Sequence, residues 1–171
     1  LKESVVQVPE VNFNVNDLAL RPPKYFEFPT GYNRNFILER FRIGELLFDP
    51  SKQQQQQRTL PTEELLGLTE MVSKCLSQCD VDMRANLVGN IIVCGGGSLL
   101  SGFSERANTE FSKLSNYGRV RIHIGNSANE RRFGSWIGGS ILGSLASFQQ
   151  LWMTRKEFEE LGPAAIERKF P

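Results

Sequence analysis

The run Asn90-Ile91-Ile92-Val93-Cys94, followed at once by Gly95, Gly96, Gly97 and Ser98, constrains this chain more than any other stretch. A short, β-branched, nearly continuous apolar segment predicts a strand covered on both faces. Three residues without Cβ let the backbone come close to a bound group. Phe103, Ala107, Phe111 and Leu114, at intervals of four and three, predict the helix that follows. Free amides at such a helix start favour an anion or a polar ring. Strand, glycine corner and helix therefore make a nucleotide-site candidate at Gly95, Gly96, Gly97 and Ser98. The same residues also suit a plain tight turn, since neither a spaced Gly-x-Gly-x-x-Gly nor the Gly-Lys-Ser/Thr of a Walker A loop is present.

The rest of the chain supplies elements around that corner. Val120, Ile122 and Ile124 alternate with Arg119, Arg121 and His123, which predicts a second strand with one wet face and His123 toward solvent. Upstream, Thr62 can cap a helix of about 17 residues whose apolar stripe is Leu65, Leu68, Val72, Cys75, Leu76 and Cys79. Glu63 and Glu64 suit its positive end. On that stripe the two cysteines act as small buried hydrophobes. Leu1 to Lys24 reads as the end of a helix and then a linker, broken by Arg21-Pro22-Pro23. Phe26 and Phe28 alternate with Glu27, Pro29-Thr30-Gly31 turns the chain, and Phe36-Ile37-Leu38 follows, so a hairpin is expected. The five glutamines Gln53 to Gln57 offer no face to bury and predict a flexible surface loop. Two helices close the chain. Ile137, Ile141, Leu142, Leu145, Phe148, Leu151 and Trp152 stripe the first, with Gly138-Gly139 at its head. Thr154-Arg155-Lys156-Glu157 makes a capping box for the second, which ends near Gly162-Pro163.

Composition narrows the function. With 171 residues, 40% of them hydrophobic, the chain can bury one sizeable core. Its 20 basic and 19 acidic side chains leave no global footprint for nucleic acid or an anionic membrane. No apolar run is long enough to span a bilayer and no signal peptide is legible, so an intracellular chain with no membrane partner is expected. Three cysteines and one histidine support neither a disulfide framework nor a zinc site. No nucleophile, base and acid stand in a recognisable catalytic frame. Asp80 and Asp82 read as turn residues rather than cation ligands. Glu130-Arg131-Arg132 adds local positive charge that suits a phosphate or a base, or a solvated face.

Ser135-Trp136-Ile137-Gly138-Gly139-Ser140-Ile141-Leu142, with Ser147-Phe148-Gln149-Gln150-Leu151-Trp152, closely resembles the signature near the carboxyl end of actins and actin-related proteins. The resemblance continues through Glu39-Arg40-Phe41-Arg42, Cys79-Asp80-Val81-Asp82-Met83-Arg84, Gly95-Gly96 and Lys156-Glu157-Phe158-Glu159-Glu160, and covers nearly the whole chain. Phe28-Pro29-Thr30-Gly31-Tyr32-Asn33, Leu47-Phe48-Asp49-Pro50-Ser51 and Glu130-Arg131-Arg132-Phe133 are similar to the nuclear actin-related protein 4 class. Leu1-Lys2-Glu3 matches a point past the middle of an actin. The chain thus looks like the carboxyl-terminal portion of an α/β, actin-like ATPase fold of the ribonuclease H-like type.

That resemblance implies residues 1–55 in the upper insertion subdomain, 56–134 in a core subdomain holding the glycine corner, and 135–171 as closing helices of a neighbouring subdomain. It implies ATP or ADP as cofactor, contacted by Lys2, Glu3, Gly95, Gly96, Gly97, Ser98, Leu100 and Arg132. Magnesium or calcium would be held mainly by residues outside this chain, together with the hydrolytic machinery, so little or no hydrolysis is expected. Arg132 stands where a lysine normally packs on the adenine, and Leu100 replaces a tyrosine beside the base. A partner groove is implied at Ile137, Ile141, Leu142, Leu145, Ser147 and Leu151, fit for an amphipathic helix of a remodeller motor or an acetyltransferase scaffold. The implied role is a non-catalytic nuclear subunit of chromatin-remodelling or histone acetyltransferase complexes, beside actin or another actin-related protein. The alternatives are a filament-forming cytoskeletal relative, an ATP-using enzyme of the same superfold, and a nucleosome or DNA contact through Arg119, Arg121, Arg131 and Arg132.

Overall fold

A computed structural model describes residues 1–51 and 65–170. They fall into two compact units, Leu1–Arg132 and Phe133–Pro171.

Among its described residues the first unit mixes helices with two small sheets, as the α/β expectation required. Its first segment carries helix α1 (Lys2–Val5) and helix α2 (Val15–Ala19), the latter capped by the Asn14 side chain accepting from Asn16 N–H at 3.1 Å. Between them the chain is no free linker. Val5, Val6, Val8 and Pro9 are buried, and Val8 N–H donates to Ser101 O at 2.8 Å. The hairpin forms from β1 (Lys24–Glu27) and β2 (Asn33–Phe36), antiparallel with Phe26 opposite Arg34. Gly31 takes φ +80° in its turn, where a Cβ is disfavoured. Ile37 and Leu38 lie beyond the strand and lead directly into helix α3 (Glu39–Glu45), whose first turn is tied back by Ile37 N–H donating to Glu39 Oε2.

Helix α4 (Leu68–Gln78) begins later than the sequence pattern predicted. Gly67 is its N-cap, and Glu70 accepts the Gly67 N–H at 3.1 Å. Leu65 precedes the helix, whereas Thr62, Glu63, Glu64 and the glutamine run lie outside the described residues. The expectation for the cysteines fails: Cys75 is exposed and Cys79 only half-buried. Leu68, Val72 and Leu76, spaced by four, meet the core, so Cys75 is rotated off that face, and Cys79 sits at an extended C-cap.

Helix α5 (Val81–Val88) feeds strand β3 (Ile91–Val93). The chain then passes through a 3-10 turn (Gly96–Leu99), helix α6 (Phe103–Phe111) and a second 3-10 segment (Ser112–Tyr117) before strand β4 (Ile122–Ile124). β3 and β4 pair in parallel, Ile91 with Ile122, Ile92 with His123 and Val93 with Ile124. A parallel pair needs such a helical crossover. Ile91, Val93 and Ile122 pack on the core formed by Val8, Phe48, Leu76, Val88, Phe103, Ala107, Phe111 and Leu114. Full burial of one such large side chain stabilises by roughly 1.5–3 kcal/mol. The expectation that β3 is covered on both faces is not met: Ile92 is 76% exposed beside an exposed His123, because among the described residues only one layer packs on this pair.

Helix α7 (Ala128–Ser144) is started by a capping box in which Glu130 N–H donates to Ser127 Oγ at 3.0 Å and Glu130 Oε2 accepts from Ser127 N–H. In the second unit the apolar stripe is not one continuous helix. Leu145 turns extended, with φ −73° and ψ 133°, and residues Ala146–Leu151 form a 3-10 segment. Helix α8 (Arg155–Leu161) has the expected capping box, Glu157 N–H donating to Thr154 Oγ1 at 3.1 Å, and ends at Gly162 with φ +71°. A further helix, α9 (Ala164–Lys169), follows it. Lys169 Nζ donates to Trp152 O and to both Glu157 oxygens at 2.9 Å.

Candidate functional site

The glycine corner is built by the end of β3 and the start of α7. Gly95 takes φ +94°, a conformation that L side chains rarely adopt, and so swings the chain into the 3-10 turn. Its N–H donates to the carbonyl of Arg131. Ser98 is buried; its Oγ donates to Gly95 O at 2.8 Å and closes the turn on itself. A Cβ added at Gly95 or Gly97 would meet no heavy atom within 4 Å, and one at Gly96 would meet only Arg132 Nε, at 4.0 Å. The glycines therefore face open space, and one flank of that space is a guanidinium.

Arg132 connects the corner to the first segment. Its Nη2 lies 3.6 Å from Glu3 Oε1. Both side chains are well exposed, so the pair holds a position more than it adds stability. Lys2 is exposed at the start of α1, one residue from Glu3. Leu100 packs against the core cluster. Glu3, Gly95, Gly96, Gly97, Ser98 and Arg132 thus form one neighbourhood, with Lys2 and Leu100 at its margins.

Sequence reasoning placed Arg131 only within a basic run suited to a phosphate, a base or solvent, and gave Ser104 no role. Arg131 donates from Nε to Ser98 Oγ at 3.1 Å and from Nη2 to Ser98 O and to Ser104 Oγ, the last at 3.2 Å. Its sequence signal was only a second basic residue beside Arg132. Ser104 gave none.

In the second unit, Ile141, Leu142, Leu145 and Leu151 are exposed, Ile137 is half-buried, and Trp136 and Trp152 are 74% and 59% exposed. Ser147 is exposed on the 3-10 segment. No residue of α7 is fully buried. The Lys169 hydrogen bond holds the Glu157 carboxyl below its usual range.

Among the described residues no group of three or more histidine, cysteine, aspartate or glutamate side chains is placed to hold a metal ion, and no helix is long and apolar enough to cross a membrane.

Comparison with known proteins completes the picture. The family model described as Actin matches residues 1–171. The chain belongs to the actin family. Among relatives of this actin-family chain, "SWI/SNF and RSC complexes subunit arp42" of Schizosaccharomyces pombe is 41% identical over 162 residues, covering 94% of this chain and 38% of the relative. Actin-related protein 4 of the same organism is 42% identical over 168 residues, covering 84% and 39%. Actin-related protein 4 of Emericella nidulans is 41% identical over 182 residues, covering 98% and 38%. The chain therefore spans about two-fifths of the length of the relatives it matches.

Proposed function

We propose that the protein is a non-catalytic actin-related subunit of a nuclear chromatin-remodelling or histone acetyltransferase assembly, and that it holds ATP or ADP as a structural ligand. The observation that carries the first part is similarity at about 40% identity, over nearly all of this chain, to proteins named as actin-related protein 4 and as a subunit of SWI/SNF and RSC complexes.

The ligand part rests on the corner's shape. Open space where three Cβ atoms would stand, a 3-10 turn with its first amides unpartnered within the turn, and the Arg132 guanidinium together fit an anionic, planar ligand. Gly95, Gly96, Gly97 and Ser98 would line it with backbone, and Arg132, Glu3 and Lys2 would flank the base and sugar. A bound nucleotide would supply binding energy that links parts of the protein and so stabilises the folded state. Magnesium or calcium would be held by residues outside this chain, as would any hydrolytic group, and turnover is expected to be slight. The exposed apolar surface of the second unit, with Ile141, Leu142, Leu145 and Leu151, suits an amphipathic helix of a motor or scaffold subunit, beside actin or another actin-related protein.

The test is purification of the tagged full-length protein from nuclei at its natural abundance, followed by identification of what accompanies it. Recovery with actin or an actin-related protein and a remodeller motor or acetyltransferase scaffold is expected. Recovery in filaments with cytoskeletal regulators contradicts the reading.

A further inference from the structure

We infer that Arg131 is the residue that positions the glycine corner for its anionic ligand, an inference that rests on the nucleotide reading above. Three observations lead to it. First, Arg131 holds the corner at both ends. Its carbonyl accepts from Gly95 N–H, and its guanidinium binds the hydroxyl and the carbonyl of Ser98, so the four residues Gly95–Ser98 are suspended between its main chain and its side chain.

Second, every partner of that guanidinium among the described residues is neutral. Ser98 Oγ, Ser98 O and Ser104 Oγ accept its hydrogen bonds, and among the described residues no carboxylate lies within ion-pair distance of it. Arg106, by contrast, has two glutamates. The positive charge of Arg131 is therefore fixed in place with no counter-charge among the described residues, half-buried beside a turn in which Gly95, Gly96 and Gly97 carry no side chains. A fixed cation in a partly dehydrated setting attracts an anion more strongly than a mobile surface lysine does.

Third, Arg131 lies in the first turn of α7, where the helix dipole disfavours a cation. The sequence places Glu130 at the preceding position, which satisfies the capping amides, and leaves the arginine to the corner. Helix packing alone gives no reason for a guanidinium there.

Arg131 binds Ser98 and Ser104 and would act on the ligand through the loop they hold, so it is a positioning residue. The experiment uses the full-length protein and the fluorescent analogue etheno-ATP as probe, with Arg131→Lys, Arg131→Met and Ser104→Ala. Lysine keeps the charge but loses the fork that holds Ser98 and Ser104 together, and methionine loses both. The expected dissociation constants rise on the order of tenfold for Arg131→Lys, and further for Arg131→Met, the range set by loss of charge-assisted hydrogen bonds. Ser104→Ala, which removes one acceptor and leaves the charge, is expected to raise the constant by about threefold.

Two further readouts separate positioning from general loss of fold. Amide exchange at residues 95–98 should accelerate in Arg131→Lys while exchange in α4 and α5 stays unchanged. The salt dependence of binding should weaken in Arg131→Met but not in Arg131→Lys. Binding that changes less than twofold in both arginine variants overturns the role of Arg131 and leaves the nucleotide reading standing. Affinity losses that merely follow a lowered unliganded melting temperature overturn it as well. Failure of the unaltered protein to bind etheno-ATP overturns the nucleotide reading and this inference together.

Discussion

Arg106 grips both carboxylate oxygens of Glu45 across 61 residues of sequence, Nη1 to Oε2 at 2.9 Å and Nη2 to Oε1 at 3.0 Å. The Arg106 and Glu45 side chains are 2% and 3% exposed, and Nε of the same arginine binds Glu110 Oε1 at 3.0 Å. The remaining donors reach Pro9 O, Val11 O and Asn12 Oδ1, while the guanidinium lies 5.1 Å from the centre of the Phe48 ring. One buried side chain thus joins α3, α6 and the first segment.

Removing Arg106 breaks a buried ionic network at its centre, so Arg106→Ala should lower the unfolding free energy by about 3–5 kcal/mol, and Glu45→Ala by less, because Arg106 keeps Glu110. The double replacement Arg106→Met with Glu45→Leu removes both charges of the pair, leaves Glu110 to Lys113, and should cost less than the sum of the two single changes. Urea denaturation of the three variants checks this. Additive losses would contradict a direct pair.

Gly102 and Gly31 share a left-handed backbone, φ +82° and +80°, but not their surroundings. A Cβ at Gly102 would lie 2.1 Å from Val8 O, whereas one at Gly31 meets nothing within 4 Å. Gly31→Ala should therefore cost only the backbone strain, about 1–2 kcal/mol. Gly102→Ala should cost several times that, because Val8 is held by Ser101 and buried in the core. Thermal unfolding of the pair separates strain from collision.

Burial pushes the Glu110 carboxyl up, but the hydrogen bond from Lys113 and the charges of Arg106 and Lys113 outweigh it and hold the group below its ordinary value. A depressed folded pKa means that the ionised carboxylate contributes stability above its unfolded value of roughly 4.3. The contribution is lost as pH falls through the lower folded value. Glu110→Gln should destabilise the protein near neutrality and flatten the loss of stability below about pH 4. Unfolding curves from pH 7 to pH 3 measure it, and parallel curves for the two proteins would contradict it.

Thr154 carries the capping box of α8 on an exposed surface. Thr154→Ala should lower local stability by about 1 kcal/mol and speed amide exchange in residues 155–161 alone. Unchanged exchange there would show that the Lys169 contacts to Glu157 hold this turn without the cap.

How much of this was legible depended on whether a signal was local. The strand, glycine corner and helix from Ile91 to Phe111 could be read because β-branched residues, glycines and a 3.6-residue period each act within a few positions. The Thr154 box was legible for the same reason. Arg106 was not read, although a charged residue three positions from Phe103 and beside Ala107 on an apolar stripe was a visible anomaly; its meaning depended on Glu45, far away in sequence. Cys75 and Cys79 were misplaced because a stripe six residues wide does not say which of its edges meets the core. Arg131 looked like half of a basic pair, and only the turn of Gly95 toward its carbonyl separates its role from that of Arg132. Membership of the actin family was legible early, because the Trp136 segment is a pattern of identities and needs no folding argument.

The most direct measurement is the nucleotide content of the full-length protein purified under native conditions, released by heat and resolved by chromatography. Close to one adenine nucleotide per molecule is expected, with its loss in a Gly96→Val variant that fills the corner's open space. A well-folded unaltered protein that yields no nucleotide and takes up none when supplied with ATP and magnesium, or a Gly96→Val protein that retains it in full, would contradict the account.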